Sequence, residues 1–383
     1  MKTTRAGTGR VPRVLIAADK FKGSLTAVQV AERVMAGLRR VVPGVEVEAL
    51  PVADGGDGTV DAAVAAGFER REVRVAGPLV TSSPPPSALR GDTAVVEMAE
   101  ASGLQRLPAG VFAPLTSSTY GSGELLRAAL DAGARTIVFG VGGSATTDGG
   151  RGCCPRSGRG SWTRRGAGGS GGAALSDVAT ADLSGLDPRL SSVDLVLASD
   201  VDNPLTGPKG APAVYGPQKG ASPDDVEILD AALGHFAAVL EKSIGSRAAE
   251  YAAAPGAGAA GGIGYGALVL GARFRPGIEV MLDVLGFAPA LERATLVITG
   301  EGSLDEQTLH GKAPAGWPRP PCRGQGGRRG VRAPGTAPGG ARQGRHPARV
   351  PLTEVEPDIA RCISDAGPIL ETVAQHIARD FLT

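Results

Sequence analysis

Small-residue loops that carry carboxylates recur through this chain, and each follows an apolar run. The fullest begins with Thr136-Ile137-Val138-Phe139 and enters Gly140-Val141-Gly142-Gly143-Ser144-Ala145-Thr146-Thr147-Asp148-Gly149-Gly150. A run of that kind reads as a buried strand, and the loop beyond it can turn backbone N–H groups toward an anion. Asp19-Lys20-Phe21-Lys22-Gly23-Ser24 follows the run 11–18, and Asp54-Gly55-Gly56-Asp57-Gly58-Thr59 follows 45–52. Ser199-Asp200-Val201-Asp202-Asn203 follows 192–198. Thr299-Gly300-Glu301-Gly302-Ser303-Leu304-Asp305 follows 294–298, with Lys312 shortly after. Glycine supplies tight turns. Clustered oxygen ligands such as Asp200, Asp202 and Asn203 suit a hard cation. In open α/β sheets, ligands sit beyond the carboxyl ends of the strands. The recurrence points to a site that handles phosphate, with or without a metal.

The elements that must position these loops alternate. Strands are expected at 11–18, 45–52, 93–98, 136–139, 192–198 and 294–298. Helices are expected at 27–41, 60–66, 124–132, 224–240, 358–363 and 367–381. Val28, Val30, Ala31, Val34 and Leu38 give the first helix an apolar stripe, with Ser24 or Thr26 as its cap. Residues 115–123 are rich in hydroxyls and read either as an anion-binding helix start or as a redundant N-cap. The Gly/Ala run 255–264 reads as a close-approach loop at a helix start. This alternation predicts an α/β fold with parallel sheets, and the Ser/Pro-rich residues 82–87 suit a crossing between domains.

The 383 residues are enough for two domains, and 42% hydrophobic content is ample for a core. Only 4% is aromatic, so Ala, Val and Leu must fill it. A net charge of +1 gives no sign of a nucleic-acid partner. There is no apolar run of about 18 residues, so no membrane span is expected, and a cytoplasmic, soluble protein is the expectation. Two segments stand apart: 151–170 and 317–350 carry thirteen Arg and no Asp, Glu or Lys. They also hold both tryptophans and three of the four cysteines, and neither segment shows helix or strand periodicity. That composition reads either as a pair of disordered basic linkers or, the favoured reading, as a compensated reading-frame shift in a GC-rich gene. Cys153-Cys154 has no second pair or His at ligand spacing, so no zinc site is expected. Gly140 to Ala145 fits the dinucleotide pattern G-x-G-x-x-A, but the acid expected about 20 residues further on is missing.

Together these motifs resemble the bacterial glycerate kinase family, the type unrelated to P-loop kinases. The carrying residues are 19–25, 54–59, 142–150, 200–205, 216–221, 258–262 and 299–302, completed by 305–308 and 311–312. The resemblance implies ATP-dependent phosphorylation of D-glycerate with Mg²⁺. It implies a Rossmann-like parallel-sheet domain built from both chain ends, 1–78 plus 288–383. An inserted α/β domain, 79–287, completes the fold, with the site in the cleft. The two Arg-rich segments depart from the family pattern, which implies loss of the helix after Gly150 and of a βα unit of the first domain.

On this resemblance Gly142, Gly143 and Ser144 hold nucleotide phosphates. Asp200 and Asp202 hold Mg²⁺ or orient the glycerate hydroxyl. Lys20, Lys22 and Ser24 engage glycerate or the moving phosphoryl group. Asp54, Asp57, Glu301 and Asp305 are further carboxylates for metal or proton transfer. Asp19, Gly55, Gly56, Lys219, Gly300 and Lys312 complete the substrate- and phosphate-binding set. A homodimer is compatible with this reading. Two alternatives stand beside it: an impaired product of a frame-shifted gene, and a dinucleotide-dependent oxidoreductase that rests on Gly140 to Ala145 alone.

Overall fold

The apolar run after Pro12 becomes the strand Arg13–Ile16, with Val14, Leu15 and Ile16 buried. In this computed structural model residues 11–21, 23–79, 82–83, 86–154, 162–164, 170–300, 329–333 and 348–383 are described. The chain folds as two compact units, 1–53 with 282–383, and 54–281. Residues 54–78 and the Ser/Pro-rich stretch therefore group with the second unit.

In the first unit, Arg13–Ile16 pairs in parallel with Glu46–Ala49 on one side and Leu296–Gly300 on the other. Arg329–Ala333 and Ala348–Arg349 extend the sheet, also in parallel. Those two strands lie inside the segment expected to have lost its βα unit, so that expectation is corrected for the strand. A ladder is made by backbone groups, and an Arg- and Gly-rich stretch can supply them without side-chain alternation. Helix Ala27–Val41 forms where its apolar stripe requires it, burying Val30, Ala31, Val34 and Leu38. Thr26 is its cap, in a reciprocal box with Gln29. Ala366–Phe381 packs against it, and Val34, Leu38, Val373 and Ile377 share one core with Val14 and Ile298.

Glu371 ties these two helices together. Its carboxylate accepts from Arg33 and Arg40 of Ala27–Val41, at 2.7 Å each. Glu371 is 7% exposed, whereas the two arginines stand about half in solvent. Replacing Glu371 with Ala removes both bonds, yet leaves the arginines free to hydrate. We expect a loss of about 1–2 kcal/mol in chemical denaturation. A change below about 0.3 kcal/mol would show that the pair contributes nothing.

The second unit is a six-stranded sheet in the order Arg273–Arg275, Asp194–Ala198, Thr136–Gly140, Thr93–Glu97, Pro86–Arg90, Glu69–Glu72. The first four run parallel, and the last two pairings are antiparallel. Register places Glu97, Gly140, Ala198 and Arg275 in one row at the carboxyl end. Leu125, Leu126 and Leu130 of helix Tyr120–Asp131 share a core with Ile137 and Phe139. That helix starts four residues before the expected 124. A second core gathers Leu233, Phe236 and Leu240 of Pro223–Ile244 around Tyr265. In the Arg-rich segment after Gly150, Arg151–Cys153 is a short 3-10 turn, and Trp162–Arg164 pairs with Val178–Ala181. The expectation of no strand there is corrected in the same way. Among the described residues no helix is long and apolar enough to cross a membrane.

Candidate active site

The row Glu97, Gly140, Ala198 is where the second unit presents its chemistry. The loop from Asp54 to Gly58 lies across it. Gly55 has φ +85°, and a Cβ there would sit 2.5 Å from the Ala198 carbonyl oxygen. Gly142 meets the same loop from the other side: its N–H donates to the Gly55 oxygen at 3.2 Å, and a Cβ on it would sit 2.5 Å from Gly56 Cα. Only glycine allows these two backbones to approach so closely. The loops 54–58 and 142–144, far apart in sequence, therefore form one surface beyond the strand ends.

Asp54 closes an Asx-type turn by accepting from the Gly56 N–H at 3.1 Å. Asp200, just past the strand Asp194–Ala198, accepts from the Gly277 N–H at 2.8 Å. Gly277 also lies against the Asp54 backbone, and Asp200 is pushed up to about 6, first by burial and next by the charge of Asp54. Asp57 is exposed, and its carboxylate lies over Gly143 where a Cβ would stand. The charge of Asp202 acts on Tyr215, whose phenol is raised by burial and then by Asp202. Asn203 accepts from the Tyr215 hydroxyl at 2.6 Å.

Behind the glycine loop lies Lys219, 2% exposed. Its ammonium donates to Ser144 Oγ at 2.7 Å and to the Thr146 carbonyl at 2.6 Å. Burial holds it down at about 7, opposed by Asp148. Lys219 thus grips the loop rather than standing in front of it. Asp148 is buried too, and accepts from Thr119 N–H and Oγ1 at 2.8 and 2.9 Å and from Gly150 N–H at 3.2 Å. Burial raises it, and those bonds pull it back. The anion at the hydroxyl-rich helix start is therefore the chain's own Asp148. Thr146 and Thr147 are buried in the same loop, and their hydroxyls make no hydrogen bond to protein. The run 255–264 is a close-approach loop as expected: Ala260, Gly261 and Gly262 are left-handed, and Gly261 accepts from the Gly149 N–H.

Glu97 was not singled out from sequence. It is 1% exposed, at the end of Thr93–Glu97, and spans two backbone donors of the 54–60 segment. Gly58 N–H reaches Oε1 and Val60 N–H reaches Oε2, each at 3.1 Å. Burial raises it to about 7, with Glu100 and Asp57 adding to the rise and the two bonds opposing it. Its visible signal was a carboxylate at the end of an apolar strand, the mark used for the other loops.

In the first unit, Asp19 follows the strand Arg13–Ile16, and its N–H donates to the Gly300 carbonyl at 2.9 Å. Its side chain accepts from the Lys20 N–H at 2.7 Å. Ser24 Oγ donates to the Phe21 carbonyl at 3.2 Å, closing the turn. Asp19, Lys20 and Gly300 thus meet at one sheet end. Lys22, Glu301, Asp305 and Lys312 lie outside the described residues. Among the described residues no three His, Cys, Asp or Glu side chains gather as a metal-binding group. The pair Asp54 and Asp200 does fit Mg²⁺, which is commonly held by one or two carboxylates with substrate phosphates supplying the rest.

Glycine loops and carboxylates at the carboxyl ends of parallel strands are the arrangement in which α/β proteins bind ligands. The glycerate kinase family profile matches residues 14–382. The glycerate kinase of Bacillus subtilis (strain 168) is 48% identical over 309 residues, covering 79% of this chain and 80% of that one. The glycerate 2-kinase of Escherichia coli (strain K12) is 43% identical over 310 residues, with 79% and 80% covered. A crystal structure from Salmonella typhimurium LT2, described as a glycerate kinase 2, superposes with a TM-score of 0.80 at 36% identity. It covers 97% of this chain and 99% of that chain. The chain belongs to the glycerate kinase family. The oxidoreductase alternative, which rested on six residues of one loop, has no support beside this.

Proposed function

We propose that this enzyme transfers the γ-phosphoryl group of ATP to a hydroxyl of D-glycerate, giving 2-phosphoglycerate and ADP. The observation that carries the reading is the surface formed by loops 54–58 and 142–144, with Asp54 and Asp200 converging on it. Phosphoryl transfer asks mainly for positioning and charge neutralisation. Gly142, its own N–H held by Gly55, shapes the loop so that the Gly143 N–H and the Ser144 hydroxyl receive the phosphates, and Lys219 fixes the Ser144 hydroxyl from behind. Gly55 and Gly56 keep Asp54 at the strand ends. The glycerate oxygen attacks the γ-phosphorus, the bond from that phosphorus to the leaving oxygen of ADP breaks, and Asp54 takes the hydroxyl proton. Asp200 orients the acceptor hydroxyl. Asp54 and Asp200 would hold Mg²⁺, and the bound ion would supply neutralisation of phosphate charge. Asp57 stands over Gly143 at the phosphate loop. In the first unit, Asp19, Lys20, Lys22 and Ser24, with Gly300, Glu301, Asp305 and Lys312, engage glycerate or the moving phosphoryl group. The reading places the enzyme in the cytoplasm, where ATP is at hand.

A coupled ADP-release assay tests it. ADP should form only when ATP, Mg²⁺ and D-glycerate are all present. ADP release that ignores glycerate would sink the assigned acceptor.

A further inference from the structure

We infer that Glu97 is a positioning residue, which sets the Asp54–Gly58 loop through the Gly58 and Val60 N–H groups and thereby places the Asp54 carboxylate. This rests on the proposed function, since Asp54 is there the proton acceptor.

The geometry supports it at three points. Glu97 is in register with Gly140 and Ala198, the residues whose strands the loop crosses. Both of its oxygens are used, one on each amide at 3.1 Å, so the bridge fixes orientation as well as distance. The loop has little other freedom. Its Gly55 is pressed against Ala198, its Thr59 hydroxyl donates to the Gly56 carbonyl at 2.6 Å, and Gly142 donates to its Gly55 carbonyl. The bridge is what holds the Gly58 and Val60 amides at the far end of the loop.

A carboxylate is a costly choice for this place. Glu97 is 1% exposed, and the charges of two further carboxylates, Glu100 and Asp57, act on it. A neutral side chain would be easier to bury. Two parallel N–H donors, however, need two acceptors, which glutamine cannot offer because one of its ends is a donor.

The experiment is a double-mutant cycle of Glu97→Gln and Asp54→Asn, read as kcat and KM for glycerate and ATP, with a thermal melt on each variant. Glu97→Gln should lower kcat about tenfold or more while leaving each KM within about threefold. In the Asp54→Asn background it should cost nothing further, because the group it positions is already gone. Losses that multiply, or Glu97→Gln turnover within twofold of wild type, overturn the inference. Asp54→Asn at full turnover would instead remove Asp54 from the mechanism, and with it the claim that Glu97 acts through it. Glu97→Asp is the second variant, for use if glutamine impairs folding. It keeps the charge, shortens the reach, and should give the same kcat loss. Amide exchange reads the bridge without turnover: Gly58 and Val60 should exchange at least tenfold faster in Glu97→Gln, with the strand Thr136–Gly140 unchanged. Unchanged protection at both amides overturns the inference whatever the enzyme's activity.

Discussion

Replacing Asp200 with Asn should lower turnover by about 10²–10³ while moving the glycerate KM less than about threefold. The side chain keeps its size and one acceptor oxygen, so the Gly277 bond can persist. What disappears is one of two charges converging beyond the strand ends. A group that only shaped the ground-state pocket would raise KM and leave kcat alone. Steady-state kinetics with each substrate varied separate the two, and near-normal kcat would remove Asp200 from the site. Asp202→Asn is the contrast. The charge of Asp202 acts on Tyr215, so turnover should stay within a few-fold of wild type.

Lys219→Met should have the next largest effect. Methionine fills much of the same volume without a buried charge, but it leaves Ser144 Oγ and the Thr146 carbonyl without their donor. The phosphate loop then loses its hold, and turnover should fall about 100-fold, with a weaker KM for ATP. Stability should move in a pH-dependent way. Lys219 is held down to about 7 in the folded chain, against 10.5 for an ordinary lysine. Between those values the unfolded chain binds the extra proton, so wild-type stability gains with rising pH. The burial cost is fully present below about pH 7 and gone above about 10.5. The stability of wild type relative to Lys219→Met should therefore rise between pH 7 and 10, in paired urea titrations. A flat difference would mean that Lys219 keeps its proton through contact with Asp148.

Much of the fold was readable because its signals are local. The stripe from Val30 to Leu38 and the Thr26–Gln29 box set one helix without help from the rest of the chain. The same holds for strands that end in small-residue loops. Helix Tyr120–Asp131 was expected to start later because Tyr-Gly-Ser-Gly is a poor helix sequence. Tertiary contacts override that, with Asp148 bonded to Thr119 at its start. The site was legible as motifs and not as geometry. Glu97 acts on residues 37 and 39 positions earlier, a pairing that no periodicity reports. Lys219 was expected in the substrate- and phosphate-binding set, and its burial emerges only when the chain folds and it bonds Ser144 and Thr146. Arg329–Ala333 hid as a strand because its arginines and glycine carry no alternation. It is held by backbone register with Leu296–Gly300.

The most direct test of the account is phosphorus NMR on the protein with ATP, Mg²⁺ and D-glycerate. The account predicts that the γ-phosphate signal of ATP is replaced, mole for mole, by a phosphomonoester signal at the 2-position of glycerate, with ADP. A 3-phosphoglycerate signal would keep the kinase and change the hydroxyl. Inorganic phosphate alone, or unchanged ATP, would contradict the account and favour an enzyme impaired by its two Arg-rich segments.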